Sequence, residues 1–354
     1  MQAPQYSLPR AQKDRLMADH LSELTARHRS ACASYDRLVS VMYHGAPARA
    51  RTPAEIPYLP VGVFKSHELC SVAPHEVFRV LTSSGTTGQA VSRIFLDRGT
   101  ALLQSAALGK IMTHVIGPNR LPMMLIESPS VIANRASYSA RGAGALGMSN
   151  FGRSHFYALD EEMNLQLPGV EAFLTRFGHQ PFLIFGFTYM IWAYFYRRIQ
   201  SLGLDLSNGI LIHSGGWKKL AEMAVDNGEF KRSLRGATGL RRVYNFYGMV
   251  EQIGSVFLEG EDGRLYPPNF ADVIIRDPLT WQELPQGEMG VIEVLSLLPQ
   301  SYPGHAILTE DLGIVDYVDS GACGRMGKAL RVLGRLPRAE LRGCSDTHAA
   351  ERAA

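Results

Sequence analysis

A regular alternation of short apolar segments with helical segments in the middle of the chain constrains the fold most strongly. Apolar runs of strand length occupy residues 121–127, 181–185, 209–213 and 242–246, and segments with helical spacing occupy 169–177, 189–201 and 217–227. Strands and helices that alternate at this spacing favour an open sheet whose ligand loops follow the strand ends. The sequence therefore predicts an α/β fold across this region.

The flanking regions follow different patterns. Residues 8–45 are expected to be mainly helical, because Leu16, Met17, Leu21 and Leu24 recur at about helical spacing and neither Pro nor Gly occurs between Pro9 and Gly45. Beyond residue 254 the apolar runs become shorter and more closely spaced, at 256–258, 290–295, 306–309 and 314–318. These patterns predict one large domain over residues 1–320, with a β-rich subdomain at about 254–320. A short basic C-terminal segment follows at 321–354.

Composition excludes several classes of function. With 36 basic and 33 acidic side chains, the net charge is only +3, which gives no reason to expect a nucleic-acid partner. The four cysteines form no C-x-x-C pair, so neither a metal knuckle nor a dithiol site is expected. Residues 1–20 lack the apolar core of a secretory signal, and the most apolar stretch, 181–196, is too short to span a bilayer. We expect a cytoplasmic protein with free thiols and no membrane span.

A loop rich in hydroxyl groups and glycine separates two predicted strands, at residues 78–82 and 93–96. Residues 82–88 contain five Ser or Thr side chains and two glycines. Glycine lets the backbone approach a ligand closely, and successive N–H groups with hydroxyls offer donors to phosphate oxygens. The loop lacks the Gly-Lys-Ser/Thr ending of the Walker loop. By composition alone, a solvated hairpin turn remains open beside a phosphate site.

Four segments occur in the order that is typical of the adenylate-forming superfamily. They are residues 82–88 (TSSGTTG), 214–216 (SGG), 245–251 (NFYGMVE) and 309–313 (TEDLG). Within that superfamily the chain most resembles the LuxE-type acyl-protein synthetases, through residues 213–218 (HSGGWK), 301–305 (SYPGH) and 338–345 (RAELRGCS). The resemblance covers roughly residues 20–346. It implies a large N-terminal domain with α/β sheets and a β-rich subdomain, followed by a truncated C-terminal segment.

The resemblance also implies ATP and Mg²⁺ as cofactors and assigns roles to individual residues. Phosphate binding falls to Ser83, Ser84, Gly85, Thr86, Thr87 and Gly88. Gly215 and Gly216 would lie against adenine, and Tyr247 with Gly248 would complete the nucleotide site. Glu251 would coordinate Mg²⁺, Asp311 would bind the ribose hydroxyls, and Arg335 would contact the nucleotide from the hinge region. Together these residues would activate a carboxylic acid as an acyl-adenylate.

Cys344 is the candidate acyl acceptor. In LuxE-type proteins the acyl group passes from the adenylate to a cysteine near the C-terminus, and Cys344 occupies the matching Arg-Gly-Cys-Ser context. A neighbouring cation such as Arg342 favours the thiolate, which is the nucleophilic form. An inert, half-buried thiol is the structural alternative for Cys344.

Two features depart from the superfamily pattern. Met249 and Val250 precede Glu251 where a variable residue and a threonine are usual, which removes a hydroxyl from the nucleotide site. Only 19 residues follow Arg335, and none of them is lysine, whereas larger members carry a further domain with a catalytic lysine. The last lysine of the chain, Lys328, is expected to be no more than a solvated charge.

Three functions therefore remain open. The first is a LuxE-type ligase that carries the acyl group as a Cys344 thioester. The second is an adenylating enzyme of secondary metabolism that activates an aromatic or short acid for an amine or a carrier protein. The third is a non-catalytic nucleotide-binding subunit. In the first two, the expected partners are a carboxylic acid and a protein that accepts or donates the acyl group.

Overall fold

The computed structural model describes residues 3–44, 49–83, 91–132, 140–217, 224–321 and 323–336. The chain divides into two compact units. The first unit combines Met1–Ile111 with Gly248–Glu340, and the second is formed mainly by Met112–Tyr247.

The N-terminal part of the first unit is mainly helical. Its elements are α1 (Arg10–Ala31), α2 (Ala33–Met42), β1 (Leu59–Pro60), α3 (Val63–Ser66), β2 (Arg79–Thr82) and β3 (Arg93–Leu96), followed by α4 (Arg98–Ile116), which leads into the second unit. The predicted helix at 8–45 is therefore confirmed in type, but Cys32 interrupts it with extended backbone at φ −128° and ψ 96°. β2 and β3 pair as a separate two-stranded hairpin that flanks the glycine-rich loop.

The apolar stripe of α1 forms one hydrophobic core of the first unit. Met17 and Leu21 are fully buried, and Leu24 is nearly so, whereas Leu16 is 42% exposed. The stripe packs with Ile274, Val291, Leu295, Ala306 and Leu308 of the antiparallel sheet. Burying each Leu or Met side chain contributes roughly 1.5–3 kcal/mol. Of the four residues whose spacing predicted this helix, three are therefore in the core and Leu16 is not.

The second unit is a parallel sheet with helical connections. Its elements are β4 (Leu121–Leu125), α5 (Ala140–Ser149), β5 (Gly152–Tyr157), α6 (Leu167–Phe177), β6 (Phe182–Phe187), α7 (Thr188–Met190), a π-helical turn (Ile191–Tyr196), α8 (Arg197–Ile199), β7 (Gly209–Ser214), α9 (Asn227–Thr238) and β8 (Arg242–Tyr247). The strand order is β5-β4-β6-β7-β8. The alternation of strands and helices predicted from the sequence is confirmed, and the carboxyl ends of all five strands meet at one edge.

One helix of this unit, α9 (Asn227–Thr238), was not predicted from the sequence. Of the helix predicted at 217–227, Trp217 and residues 224–226 are not helical, and residues 218–223 lie outside the described residues. The Asp226 side chain accepts a hydrogen bond from the backbone N–H of Glu229 at 2.8 Å, which is a regular N-cap. At the other end, Gly239 has a left-handed φ of 72°, as helix C-termini often require. These two capping residues were present in the sequence, and they mark the two ends of α9.

The remaining part of the first unit is an antiparallel sheet. Its strands are β9 (Phe257–Glu259), β10 (Leu265–Tyr266), β11 (Ala271–Arg276), β12 (Met289–Ser296), β13 (Ala306–Val318) and β14 (Lys328–Arg335). The order is β11-β12-β13-β14-β10-β9, and β1 pairs in parallel with β13. The strands predicted at 306–309 and 314–318 are one strand, β13, whose register with β14 shifts between Leu312 and Gly313.

Lys328 was expected to be a solvated charge, and this prediction is wrong. Its side chain is only 4% exposed, and its ammonium lies 3.3 Å from Asp272 Oδ2. It also donates to the carbonyl of Val273 at 2.6 Å. Burial by itself would raise the pKa of Asp272, but Lys328 and Lys13 outweigh burial and hold this pKa below its ordinary value. Lys328 therefore anchors β14 to β11.

Among the described residues, no helix is both long enough and apolar enough to cross a membrane.

Candidate active site

Two of the predicted adenine-site residues lie at the carboxyl end of β7 in the second unit. Gly215 has a φ of 86°, a backbone conformation that residues with a Cβ atom rarely adopt. A Cβ at this position would lie 3.4 Å from the Phe187 ring, whereas a Cβ at Gly216 would meet nothing within 4 Å. The backbone of Gly216 is therefore open to the close approach of a flat ligand.

The structure brings Tyr247 next to this glycine pair. Ser214 and Phe246 are register partners in the parallel pairing of β7 with β8, so Gly215 and Tyr247 follow at adjacent strand ends. The Ser214 hydroxyl donates to the carbonyl of Phe246 at 2.9 Å, which ties the two ends together. Three predicted residues, Gly215, Gly216 and Tyr247, thus share one edge of the parallel sheet, where ligands bind in open α/β folds.

His213 lies directly before this edge and is fully buried. Its Nδ1 is 2.9 Å from Thr188 Oγ1, and the Thr188 hydroxyl also contacts the carbonyl of Ser214 at 3.1 Å. The His213 ring packs against the Phe230 ring, with 4.7 Å between centroids. Burial lowers the pKa of His213 to about 3, with a smaller contribution from Lys231. The imidazole is therefore neutral and holds the end of β7 through Thr188.

Replacing His213 by Asn is expected to make the protein less sensitive to acid. Because the folded-state pKa is below the ordinary value of 6.5, the unfolded chain binds a proton that the folded protein does not, and stability falls as the pH drops from about 6.5 towards 3. Asn can keep the contact with Thr188 and does not titrate. The free energy of unfolding in urea should fall more steeply in wild type, by up to about 1.4 kcal/mol per pH unit below pH 6. Equal slopes in the two proteins would contradict this prediction.

Glu251 occupies a buried turn of the first unit. It lies in a 3-10 turn, Val250–Gln252, and is only 5% exposed. Burial raises the pKa of its carboxyl, while the Ser92 hydroxyl and the Arg335 guanidinium act in the opposite direction. A cation that binds next to a buried carboxylate favours the ionised form of that carboxylate.

Asp311 and Arg335 face each other on neighbouring strands of the same unit. They are register partners of β13 and β14, and Arg335 Nε lies 3.5 Å from Asp311 Oδ1. The buried Thr309 hydroxyl accepts from the backbone N–H of Asp311 at 3.1 Å and donates to the carbonyl of Ile292 at 2.7 Å. Arg335 also acts on the Glu251 carboxyl electrostatically. The structure thus pairs Asp311 with Arg335, which are separated in the sequence, and the charge of Arg335 also reaches the Glu251 carboxyl.

The described part of the glycine-rich loop is its base. Ser83 donates its backbone N–H to the carbonyl of Ser92 at 3.1 Å, and its hydroxyl accepts from the Ser92 N–H at 2.9 Å. These two bonds close the β2–β3 hairpin below the loop. Ser84, Gly85, Thr86, Thr87 and Gly88 lie outside the described residues, as does Cys344. Gly248 follows β8 and is exposed.

Comparison with known proteins decides the family. The sequence profile of the family described as "Acyl-protein synthetase, LuxE" matches residues 1–351. The chain belongs to this family. It is similar to the long-chain-fatty-acid–luciferin-component ligase of Vibrio harveyi, with 22% identity over 306 residues, covering 82% of this chain and 76% of the relative. It is also similar to the protein of the same name from Aliivibrio fischeri, with 23% identity over 303 residues, covering 82% of this chain and 77% of the relative.

Solved structures confirm the predicted fold. An open conformation of 2-hydroxyisobutyryl-CoA ligase, in complex with 2-HIB-AMP and CoA, matches with a TM-score of 0.68 and 17% identity, covering 94% of this chain and 77% of that chain. The same ligase in its thioesterification state matches with a TM-score of 0.69 and 18% identity, covering 93% and 69%. Membership of the LuxE family confirms the predicted enzyme class, an acid–thiol ligase, and supports activation of the acid through an acyl-adenylate.

Glu251 by itself is compatible with a magnesium site. The described residues contain no group of three or more His, Cys, Asp or Glu side chains that could hold a metal ion. Mg²⁺ does not need such a group, because it usually keeps several waters and binds one or two carboxylates together with substrate phosphates. The residues present therefore fit Mg²⁺ that is held jointly by Glu251 and the phosphates of ATP.

Sequence reasoning missed a buried ion pair in the second unit. Glu127 follows β4 at the carboxyl edge of the sheet, and Arg141 Nε on α5 lies 2.8 Å from its Oε1, with both side chains almost completely buried. Burial raises the pKa of Glu127 to about 7, although Arg141 opposes the rise. The sequence signal that could have indicated this pair is Glu127, an acidic residue at the end of an apolar run.

Proposed function

We propose that the chain uses ATP and Mg²⁺ to activate a carboxylic acid as an acyl-adenylate and then transfers the acyl group to Cys344. The observation that carries the proposal is the contact of Asp311 with Arg335 in the first unit, together with the electrostatic effect of Arg335 on Glu251, because these three residues were predicted to bind ribose, nucleotide and metal. The profile match to the LuxE family supports the same chemistry.

The first half-reaction forms the acyl-adenylate. A carboxylate oxygen of the acid attacks the α-phosphorus of ATP, the bond between this phosphorus and the bridging oxygen to the β-phosphate breaks, and pyrophosphate leaves. Bound Mg²⁺ would neutralise charge on the phosphates. The Glu251 carboxylate would hold the cation, and Arg335 would offer a positive charge to the nucleotide. Such prearranged charges lower the barrier because they need no reorganisation during the reaction.

Residues of the second unit position the base in this proposal. The backbone of Gly215 and Gly216 would lie flat against adenine, because no Cβ atom projects from either residue. Tyr247 at the neighbouring strand end would pack beside the same ring. The contacts of His213 and Ser214 hold these strand ends in place, so the adenine position is set before ATP arrives.

The second half-reaction forms a thioester. The Cys344 thiolate attacks the acyl carbon of the adenylate, a carbon–sulfur bond forms, and AMP leaves with its phosphate oxygen. The thiol proton is lost to solvent before attack, since the thiolate is the nucleophile. The names of the Vibrio harveyi and Aliivibrio fischeri relatives support a long-chain fatty acid as the substrate.

Exchange of labelled pyrophosphate into ATP tests the first half-reaction. The protein is incubated with ATP, Mg²⁺ and one acid at a time from a panel of fatty acids of increasing length and of aromatic acids. We expect exchange that requires both acid and Mg²⁺ and is fastest with long fatty acids. Fastest exchange with an aromatic or short acid would favour the enzyme of secondary metabolism. Binding of ATP without exchange for any acid would overturn the proposal in favour of a nucleotide-binding subunit.

A further inference from the structure

The sequence indicated the segment Ser301–His305 only as a family motif. In the structure, this segment makes hydrogen bonds with the turn that carries Glu251. Tyr302 is fully buried, and its hydroxyl donates to the backbone carbonyl of Glu251 at 2.8 Å. The two residues are 51 positions apart in the sequence. Because Tyr302 is fully buried, this hydrogen bond is shielded from water.

Gly304 and Gln252 add a second connection between the same two segments. The Gln252 side-chain amide donates to the carbonyl of Gly304 at 2.9 Å and to the carbonyl of Val294 at 3.0 Å. A Cβ on Gly304 would lie 2.9 Å from the carbonyl oxygen of Glu251 and 2.3 Å from the Tyr302 ring. Only glycine lets the two segments approach this closely, so the turn that carries Glu251 rests directly on residues 302–304.

The same segment is also attached to the strand that follows the glycine-rich loop. The Ser301 hydroxyl donates to the carbonyl of Phe95 in β3 at 2.8 Å. On its other side, the carbonyl of Ser301 accepts from the N–H of Ser71 at 2.8 Å. One rigid, buried segment therefore contacts both β3 of the loop hairpin and the turn of Glu251.

We propose that Tyr302, supported by Gln252 and Gly304, is a positioning residue that fixes the Glu251 carboxylate for the metal–ATP complex. The inference rests on the proposed function for its assignment of Glu251 as the metal-binding carboxylate. The three-residue turn Val250–Gln252 is too short to fix a carboxylate by itself, and a metal ligand must be held within about half an ångström of its working position. The phenol–carbonyl bond supplies this restraint from outside the turn.

The test is Tyr302→Phe, which keeps the buried ring and removes only the hydroxyl. Two quantities are measured besides the thermal midpoint: the Mg²⁺ concentration for half-maximal pyrophosphate exchange, and the affinity for Mn²⁺·ATP by electron paramagnetic resonance without any acid. We expect the half-maximal Mg²⁺ concentration to rise and the Mn²⁺·ATP affinity to fall, each about tenfold, as for the loss of one hydrogen bond. The exchange rate at saturating Mg²⁺ should recover most of the wild-type value.

Tyr43→Phe is the matched control. Its hydroxyl also donates to a backbone carbonyl, that of Tyr58, at 2.8 Å within the first unit. The variant Tyr43→Phe should lower the thermal midpoint as Tyr302→Phe does. It should leave the half-maximal Mg²⁺ concentration and the Mn²⁺·ATP affinity unchanged. If the two variants give the same metal measurements, Tyr302 is only structural and the inference is wrong. If Tyr302→Phe does not fold, Gln252→Leu replaces it, because it removes the second connection to Glu251 and should produce the same shift in Mn²⁺·ATP affinity.

The variant Glu251→Gln helps to distinguish a failure of the proposed function from a failure of the inference about Tyr302. A wild-type protein that binds Mn²⁺·ATP but exchanges no pyrophosphate would refute the proposed function, while the binding measurement would still decide the role of Tyr302. If Glu251→Gln leaves the Mn²⁺·ATP affinity unchanged, Glu251 does not bind the metal and the inference is overturned. Weaker binding in both Glu251→Gln and Tyr302→Phe, without a further loss in the double variant, would support it.

Discussion

The variant Cys344→Ser is expected to lose all acyl label that hydroxylamine can release from the protein. The label would be introduced by incubation with ATP, Mg²⁺ and a radioactive fatty acid, and read after denaturation. A serine hydroxyl is a much weaker nucleophile than a thiolate at neutral pH, so the second half-reaction should stop. Acid-dependent pyrophosphate exchange should stay within about twofold of wild type, because the adenylate forms before the thiol reacts.

The other three cysteines provide the control. Cys32 is buried, whereas Cys70 and Cys323 are partly exposed and could in principle take up label. Burial raises the pKa of Cys70, which reduces its thiolate fraction. A variant in which these three are serine and Cys344 remains should label fully. Full labelling of Cys344→Ser, or loss of labelling in the triple variant, would refute the acyl-cysteine step.

The variant Arg141→Met is expected to lower the free energy of unfolding by about 3–5 kcal/mol at pH 8, because it leaves a buried carboxylate without its cation. In the folded protein Glu127 already has a pKa of about 7, and the loss of Arg141 should raise it further. An acid whose folded-state pKa is above its unfolded value of about 4.5 loses stability as the pH rises from 4.5 to the folded pKa. The destabilisation should therefore be smaller at pH 5.5 than at pH 8, which urea denaturation at both pH values can measure.

Two further variants make this prediction specific. Arg232→Met removes one half of an ion pair with Glu229 in the same unit, but this pair is exposed, at 69% and 45%, so its loss should have little effect at either pH. The double variant Glu127→Leu with Arg141→Met should recover most of the stability, because well-packed apolar side chains can replace a buried ion pair. If Arg141→Met and Arg232→Met prove equally mild, the buried pair contributes nothing particular to the unit.

Local patterns in the sequence were sufficient for four of the five strands of the second unit and for the helical character of α1, but β5 was not predicted. An apolar run of strand length has few alternatives to a buried strand, and the spacing of Met17, Leu21 and Leu24 places them on one helical face whatever their partners are. The motifs in the sequence also indicated the family, which the profile match over residues 1–351 confirms. Helix α9 was not predicted from apolar spacing, although its N-cap at Asp226 was present in the sequence as a signal for its start.

Contacts between distant parts of the chain depended on the tertiary structure. The sequence alone does not place Asp311 opposite Arg335, because antiparallel register is set by the pairing of whole strands. The burial of Lys328 with Asp272 could not be predicted from the sequence either, because a charged residue is expected in solvent unless its partner is known.

The sequence by itself determined the fold class, the family and the residue types of the proposed nucleotide site. Only the tertiary structure decided the contact of Tyr302 with Glu251 and the ion pair of Glu127 with Arg141. The physical reason is that residue type and local spacing follow directly from neighbours in the chain. Burial, charge pairing and hydrogen bonds over 51 residues exist only after the strands have packed.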